Sequence, residues 1–128
     1  MELTEKDAAT AFARAWNRLD CREFLELLAE DAHYASQWVF NEMENKKEIA
    51  EYLTGKMQTV KNTGSKVYAE LGKISKGFPD RDCVLMAQDV KKIVKAVVLF
   101  EVSGNTIKRI DLCMPQLFDP EGSGIYPI

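Results

Sequence analysis

Ala8, Phe12, Ala15, Trp16 and Leu19 recur at three- and four-residue intervals, the spacing of one face of a helix. Thr4, with Asp7 three positions on, can cap its start, and the helix is expected to end near Arg18. Asp20 followed by Glu23 repeats the capping pattern. It opens a short second helix that turns Phe24, Leu27 and Leu28 inward and stops near Ala29. Over residues 32–40 the period changes to two. Tyr34, Ser36, Trp38 and Phe40 fall on one face of a strand, with His33, Ala35, Gln37 and Val39 on the other.

Asn45 then caps a longer helix, with Glu48 at its third position and Ile49, Leu53, Met57 and Val60 on one face. Gly64 stands where a helix C-terminal glycine belongs. Beyond it, β-branched and alternating residues predict strands over 66–74, 83–88, 93–102 and 106–114, with Ser103-Gly104-Asn105 as a tight turn. Pro115 ends the last strand, and the Pro- and Gly-bearing tail 116–128 is expected to be irregular, docked on the surface or on a partner. The order is helix, helix, strand, helix, four strands. Serial strands with short links form an antiparallel sheet, and three helices are available to cover one of its faces. The expected fold class is α+β, a cone-shaped, curved antiparallel sheet wrapped around the long third helix, with a cavity where the curl cannot close.

A length of 128 residues fits one domain, 1–128, and folding at this size buries roughly two thirds of the unfolded chain's surface. With 46% hydrophobic and 29% charged residues, nothing points to disorder or a membrane span. A net charge of -3 argues against nucleic-acid binding, and Lys91, Lys92 and Lys95 read as a solvated turn and strand edge. Cys21, Cys83 and Cys113 are an odd, widely spaced set, and no basic segment leads into an apolar core near Met1. Free thiols in the cytoplasm are therefore expected. One histidine and no CxxC pair leave zinc without its usual ligands, and no glycine-rich phosphate loop or nucleophile elbow signals a cofactor or a nucleophilic enzyme.

AWNRLD (15–20), FLELLAEDAHY (24–34), NKKEIAEYL (45–53) and the hairpin FEVSGNTIKRIDL (100–112) resemble the nuclear transport factor 2-like superfamily, which includes SnoaL-like and ketosteroid-isomerase-like proteins. The resemblance spans residues 4–115 and lies in apolar spacing and turns. It implies a cone-shaped α+β barrel with an apolar cavity, a homodimer formed through the outer face of the sheet, and a small apolar molecule as ligand. Where steroid isomerases of this fold keep a general base, an oxyanion-binding tyrosine and a neutral aspartic acid, this chain has Ser36, Phe12 and Val98, so that chemistry is rejected. Epoxide hydrolases of the superfamily place one aspartate seven residues beyond the hairpin glycine. Counting from Gly104 gives Asp111, but the Asp and Arg they keep two apart on an earlier strand have no match in 81–89.

Asp111 is accordingly the candidate catalytic acid or base, with Tyr34, Ser36 or Gln88 positioning a substrate in a hydrolase, dehydratase or isomerase. Its structural alternative is an outward-facing carboxylate paired with Lys108 or Arg109. The ligand wall is assigned to Phe12, Trp16, Tyr34, Ser36 and Trp38, with Val98 and Cys113 beside them. Asn17 and Asp20 read as helix end and cap, His33 as a surface or interface residue, and Cys83 and Cys113 equally as inert buried thiols. A small-molecule-binding protein leads; an Asp111 enzyme and an interaction module with a Trp38-Val39-Phe40 ridge are the alternatives.

Overall fold

A computed structural model of the chain describes residues 2–37, 39–76 and 80–128, with Val39 and Phe40 described by backbone alone. Helix α1 (Glu5–Arg18) starts at the expected capping box: Thr4 Oγ1 accepts from the Asp7 N–H at 3.0 Å, and the Asp7 carboxylate accepts from the Thr4 N–H at 3.0 Å. It stops at Leu19, whose φ of 56° turns the chain out of the helix. Helix α2 (Arg22–Glu26) is shorter than expected and begins from Cys21, not Asp20. The Asp20 carboxylate is occupied instead by the Arg22 guanidinium, at 2.8 and 3.0 Å, which holds its carboxyl down at about 2.

The first strand is also corrected at both ends. Leu28 and Ala29 belong to β1 (Leu28–Ser36), because the Ile107 N–H reaches the Leu27 carbonyl at 2.8 Å and Leu28 pairs with Ile107. The chain reverses after Ser36, so Val39–Met43 forms a separate strand, β2, antiparallel to β1. Trp38 lies outside the described residues. Helix α3 (Lys46–Thr63) is capped by Asn45, whose side chain accepts from the Glu48 N–H at 2.9 Å, and ends at Gly64 with φ 76°.

The four later strands fall where the alternation places them: β3 (Val67–Lys73), β4 (Asp82–Gln88), β5 (Val94–Ser103) and β6 (Thr106–Cys113). Gly104, at φ 60°, makes the β5–β6 turn possible. A two-residue strand, β7 (Glu121–Gly122), completes a seven-stranded sheet in the order β2-β1-β6-β5-β4-β3-β7. All pairings are antiparallel except β1 with β6, which is parallel and departs from the all-antiparallel expectation. The fold is α+β, with a curved, mostly antiparallel sheet that does not close.

Two helices share the concave side. α1 lies over β3, β4 and β5, while α3 lies over β1. Ala8, Ala9, Ala13 and Ala15 are buried on α1, and such small residues let its backbone approach the sheet. Between them Phe12 packs edge-on against Phe24 and Phe100, with ring centroids 5.1 and 5.3 Å apart. Cys83, Leu85, Val97 and Leu99 form a second cluster on the convex side, covered by Phe118. Ala96 to Phe100 are therefore buried without alternation, as strands covered on both faces are.

The tail runs along the free edge of β3. Gly122 and Glu121 pair with Gly72 and Lys73, and a Cβ at Gly72 would run into the Glu121 carbonyl and the Leu85 side chain. Farther along the same edge the Asn17 amide accepts from the Ala69 N–H at 2.8 Å, donates to the Ala69 carbonyl at 2.9 Å, and donates to Pro127 O at 2.6 Å. Asn17 thus fastens helix, strand and tail together. Among the described residues no helix is long and apolar enough to cross a membrane.

Candidate ligand cleft

Where the sheet curls away from the C-terminal half of α3, a cleft of about 300 Å3 opens. Trp16, Val67, Met86 and Leu112 give it apolar walls. Its polar groups are Tyr34, Tyr52, Lys56, Thr59, Gln88 and Lys95. No carboxylate and no imidazole stands among its described lining residues.

Tyr34 is set by the β1 register. It pairs with Ile110 of β6 and faces α3, where its ring tilts against Tyr52 at a centroid distance of 5.5 Å. The side chain is 2% exposed, yet its hydroxyl has no hydrogen-bond partner among the described residues. Burial, followed by the neighbouring Tyr52, pushes its pKa well above the ordinary tyrosine value, so it is a neutral donor at physiological pH. Burial raises the half-buried Tyr52 in the same direction. Trp16 adds an indole Nε1 that is buried and makes no hydrogen bond in the described structure.

Two lysines flank this group. Lys56, one turn after Tyr52 on α3, carries its ammonium 5.7 Å from the Tyr52 ring centroid. Lys95 arrives by a different route. Met86 pairs with Ala96 but Ala87 pairs with Val94, so Lys95 is the extra residue of a β-bulge. Such a bulge breaks strict alternation and re-aims a side chain. Val94 packs into the convex cluster, and Lys95 lines the concave cleft.

A neighbouring hollow of about 480 Å3 shares Trp16 and Val67 with the cleft and is bordered by Tyr126 and Ile128 of the tail. Lys91 holds its ammonium 4.1 Å from the Tyr126 ring centroid, which fixes the tail end beside it. Another hollow, between α1 and α2, is lined by charged groups, with Arg22 already paired to Asp20.

No protein-family model matches the chain, and no curated protein matches it. Solved structures do. An NTF2-like protein of unknown function from Cytophaga hutchinsonii superposes with a TM-score of 0.61 at 13% identity, over 91% of this chain and 95% of its own. A de novo designed protein with a curved β-sheet gives 0.62 at 13% identity, over 88% of each chain. An LEH-like epoxide hydrolase from M. tuberculosis gives 0.53 at 17% identity, over 86% of this chain and 84% of its own. This chain has the nuclear transport factor 2-like fold. At these identities the likeness establishes architecture, and the chemistry must be read from the residues.

Within the nuclear transport factor 2-like fold the sequence candidates separate. Trp16, Tyr34 and Gln88 line the cleft. Phe12 and Val98 are 1% and 0% exposed and belong to the packed core beside it. Ser36 pairs with Leu112 on the concave side of β1 but is not part of the described cleft wall, and Trp38 is outside the described residues. Asp111 and Cys113 face the other way. They pair with Leu99 and Val97, whose side chains belong to the convex cluster, so the sheet separates them from Tyr34.

On that convex face Asp111 receives the Arg109 guanidinium at 3.1 Å, which also reaches Glu42 at 2.9 Å, and His33 bonds Glu42. Arg109 first, then His33, holds the Glu42 carboxyl below its ordinary value. Burial keeps both convex thiols protonated, with Cys83 pushed up to about 12 and Cys113 raised in the same sense. Tyr52 and Lys56 are not singled out from sequence, and Lys95 reads there as part of a solvated turn and strand edge. Tyr52 and Lys56 share a helix face at one-turn spacing, a readable signal, whereas the bulge that turns Lys95 inward leaves no mark in the pattern.

Proposed function

We propose that this chain is a small-molecule-binding protein that takes a small, largely apolar ligand into the cleft between α3 and the sheet. The observation that carries the reading is Tyr34, 2% exposed, bordering the cleft with an unpartnered hydroxyl. A hydroxyl at a cleft wall without a protein partner offers an entering ligand a hydrogen bond that otherwise goes to water. The apolar walls and the few convergent polar groups are the usual composition of such a site.

The test is a thermal-shift screen of small apolar acids, alcohols and epoxides, repeated on Thr59→Trp. Thr59 lines the cleft from the exposed side of α3, so the indole obstructs the opening without entering the core. Ligands that raise the wild-type melting temperature and lose that effect in Thr59→Trp support the reading. No stabilising compound, or stabilisation untouched by the substitution, overturns it.

An enzyme with Asp111 as acid or base gains no support from the convex position of that residue or from its pairing with Arg109. The homodimer and the cytoplasmic setting remain part of the proposal. Three free, buried cysteines accord with a reducing compartment. Light scattering at micromolar concentration decides the oligomer, and a monomer removes the dimer.

A further inference from the structure

The charge around the cleft narrows what enters it. Six polar side chains border the hollow, and every one can donate a hydrogen bond or carries a positive charge: Tyr34, Tyr52, Lys56, Thr59, Gln88 and Lys95. Lys95 forms no ion pair among the described residues, and the recorded contact of Lys56 is with the Tyr52 ring. Three arginines elsewhere sit against carboxylates: Arg22 with Asp20, Arg81 with Glu5, and Arg109 with both Glu42 and Asp111. In the cleft two cations meet apolar wall, and no carboxylate side chain stands among its described lining residues. One of the two cations is placed there by an irregularity of β5 that costs a ladder position.

We infer that the ligand is an acid, a carboxylate on a compact apolar body, whose charged end is held at the cleft mouth between Lys56 and Lys95. The hydroxyls of Tyr34 and Tyr52 then complete the oxygen contacts, and Trp16, Met86 and Leu112 enclose the body. This rests on the cleft being the binding site and adds the chemical class of what it binds. A neutral molecule of the same shape would gain nothing from the two ammonium groups at the mouth, both of which are exposed. A bare inorganic anion would leave the apolar walls unused.

The experiment is calorimetry on the whole chain with phenylacetate, cinnamate and octanoate, each against its neutral amide, and with inorganic phosphate as a bare anion. The acids are expected to bind about tenfold or more tighter than their amides, a difference of about 1.4 kcal/mol or more. Raising the salt concentration should weaken the acids and leave the amides unchanged. Lys95→Met should remove most of that preference, as should Lys56→Met at the opposite wall, while amide binding stays within about twofold. Lys95 is exposed, so its replacement leaves the core intact. Equal binding of acid and amide, a preference that survives both substitutions, or phosphate binding as well as the acids each overturns the acid assignment while leaving the cleft as a binding site. If neither acids nor amides bind at millimolar concentration, the assignment falls together with the proposed function.

Discussion

His33 and Tyr34 are neighbours on β1, yet the two faces of the sheet treat them in opposite ways. His33 faces outward into a network with Glu42, Arg109 and Asp111, in which each polar group meets another. Tyr34 faces inward and is 2% exposed. The network on one face is satisfied within the chain, whereas the Tyr34 hydroxyl on the other has no partner among the described residues. Phe12 and Trp16 make the same contrast one helical turn apart on α1: the first is a closed aromatic contact, the second carries a buried indole N–H without an acceptor. Polar groups left open beside packed ones are what the proposed binding site requires, whereas uniform looseness would mark only an imperfect core.

If the concave side is packed everywhere except at the cleft, Phe12→Ala should be the most damaging of the simple changes, at about 3–5 kcal/mol by urea denaturation. A loss near that of a surface change would mean that the interior is loose throughout and the cleft is not distinct. Tyr34→Phe should have a smaller effect of the opposite sign. Removing an unpartnered hydroxyl leaves stability unchanged or raises it by up to about 1 kcal/mol, while ligand binding weakens. A clear destabilisation would reveal an internal partner for that oxygen.

The convex network should contribute least. Glu42→Gln is expected to cost less than about 1 kcal/mol, because water screens these partly exposed charges. The folded chain holds the Glu42 carboxyl below its ordinary value, so its contribution is complete above about pH 5. It is lost as the pH falls through the lower, folded value. Melting curves of wild type and Glu42→Gln should therefore converge toward about pH 3. A gap that widens on acidification would reverse the assigned sign.

The sequence carried the architecture where local and global preferences agreed. The Thr4–Asp7 and Asn45–Glu48 caps, the Gly64 stop and the Gly104 turn are properties of a few adjacent residues, and each appears where the pattern puts it. It misled where a distant partner decides. The Asp20 cap yielded to an ion pair with Arg22, and Leu28 left the short helix because Ile107, far along the chain, offers a strand pairing. The parallel β1–β6 pair and the reversal after Ser36 are equally long-range outcomes. Half of the cleft was legible for the same reason. Trp16 follows from helical spacing and Tyr34 from simple alternation, but the facing of Asp111 depends on its register with Leu99, and that of Lys95 on a slip between β4 and β5.

The central claim is that the unpartnered groups of the concave face form one binding site, and backbone and indole NMR during a titration with phenylacetate tests it most directly. The account predicts progressive shifts of the Trp16 indole N–H and of the amides around Tyr34, Met86 and Lys95, with Arg109 and Asp111 unmoved. Shifts centred on the Arg109–Asp111 face, or no saturable change at the Trp16 indole while the ligand binds, would contradict it.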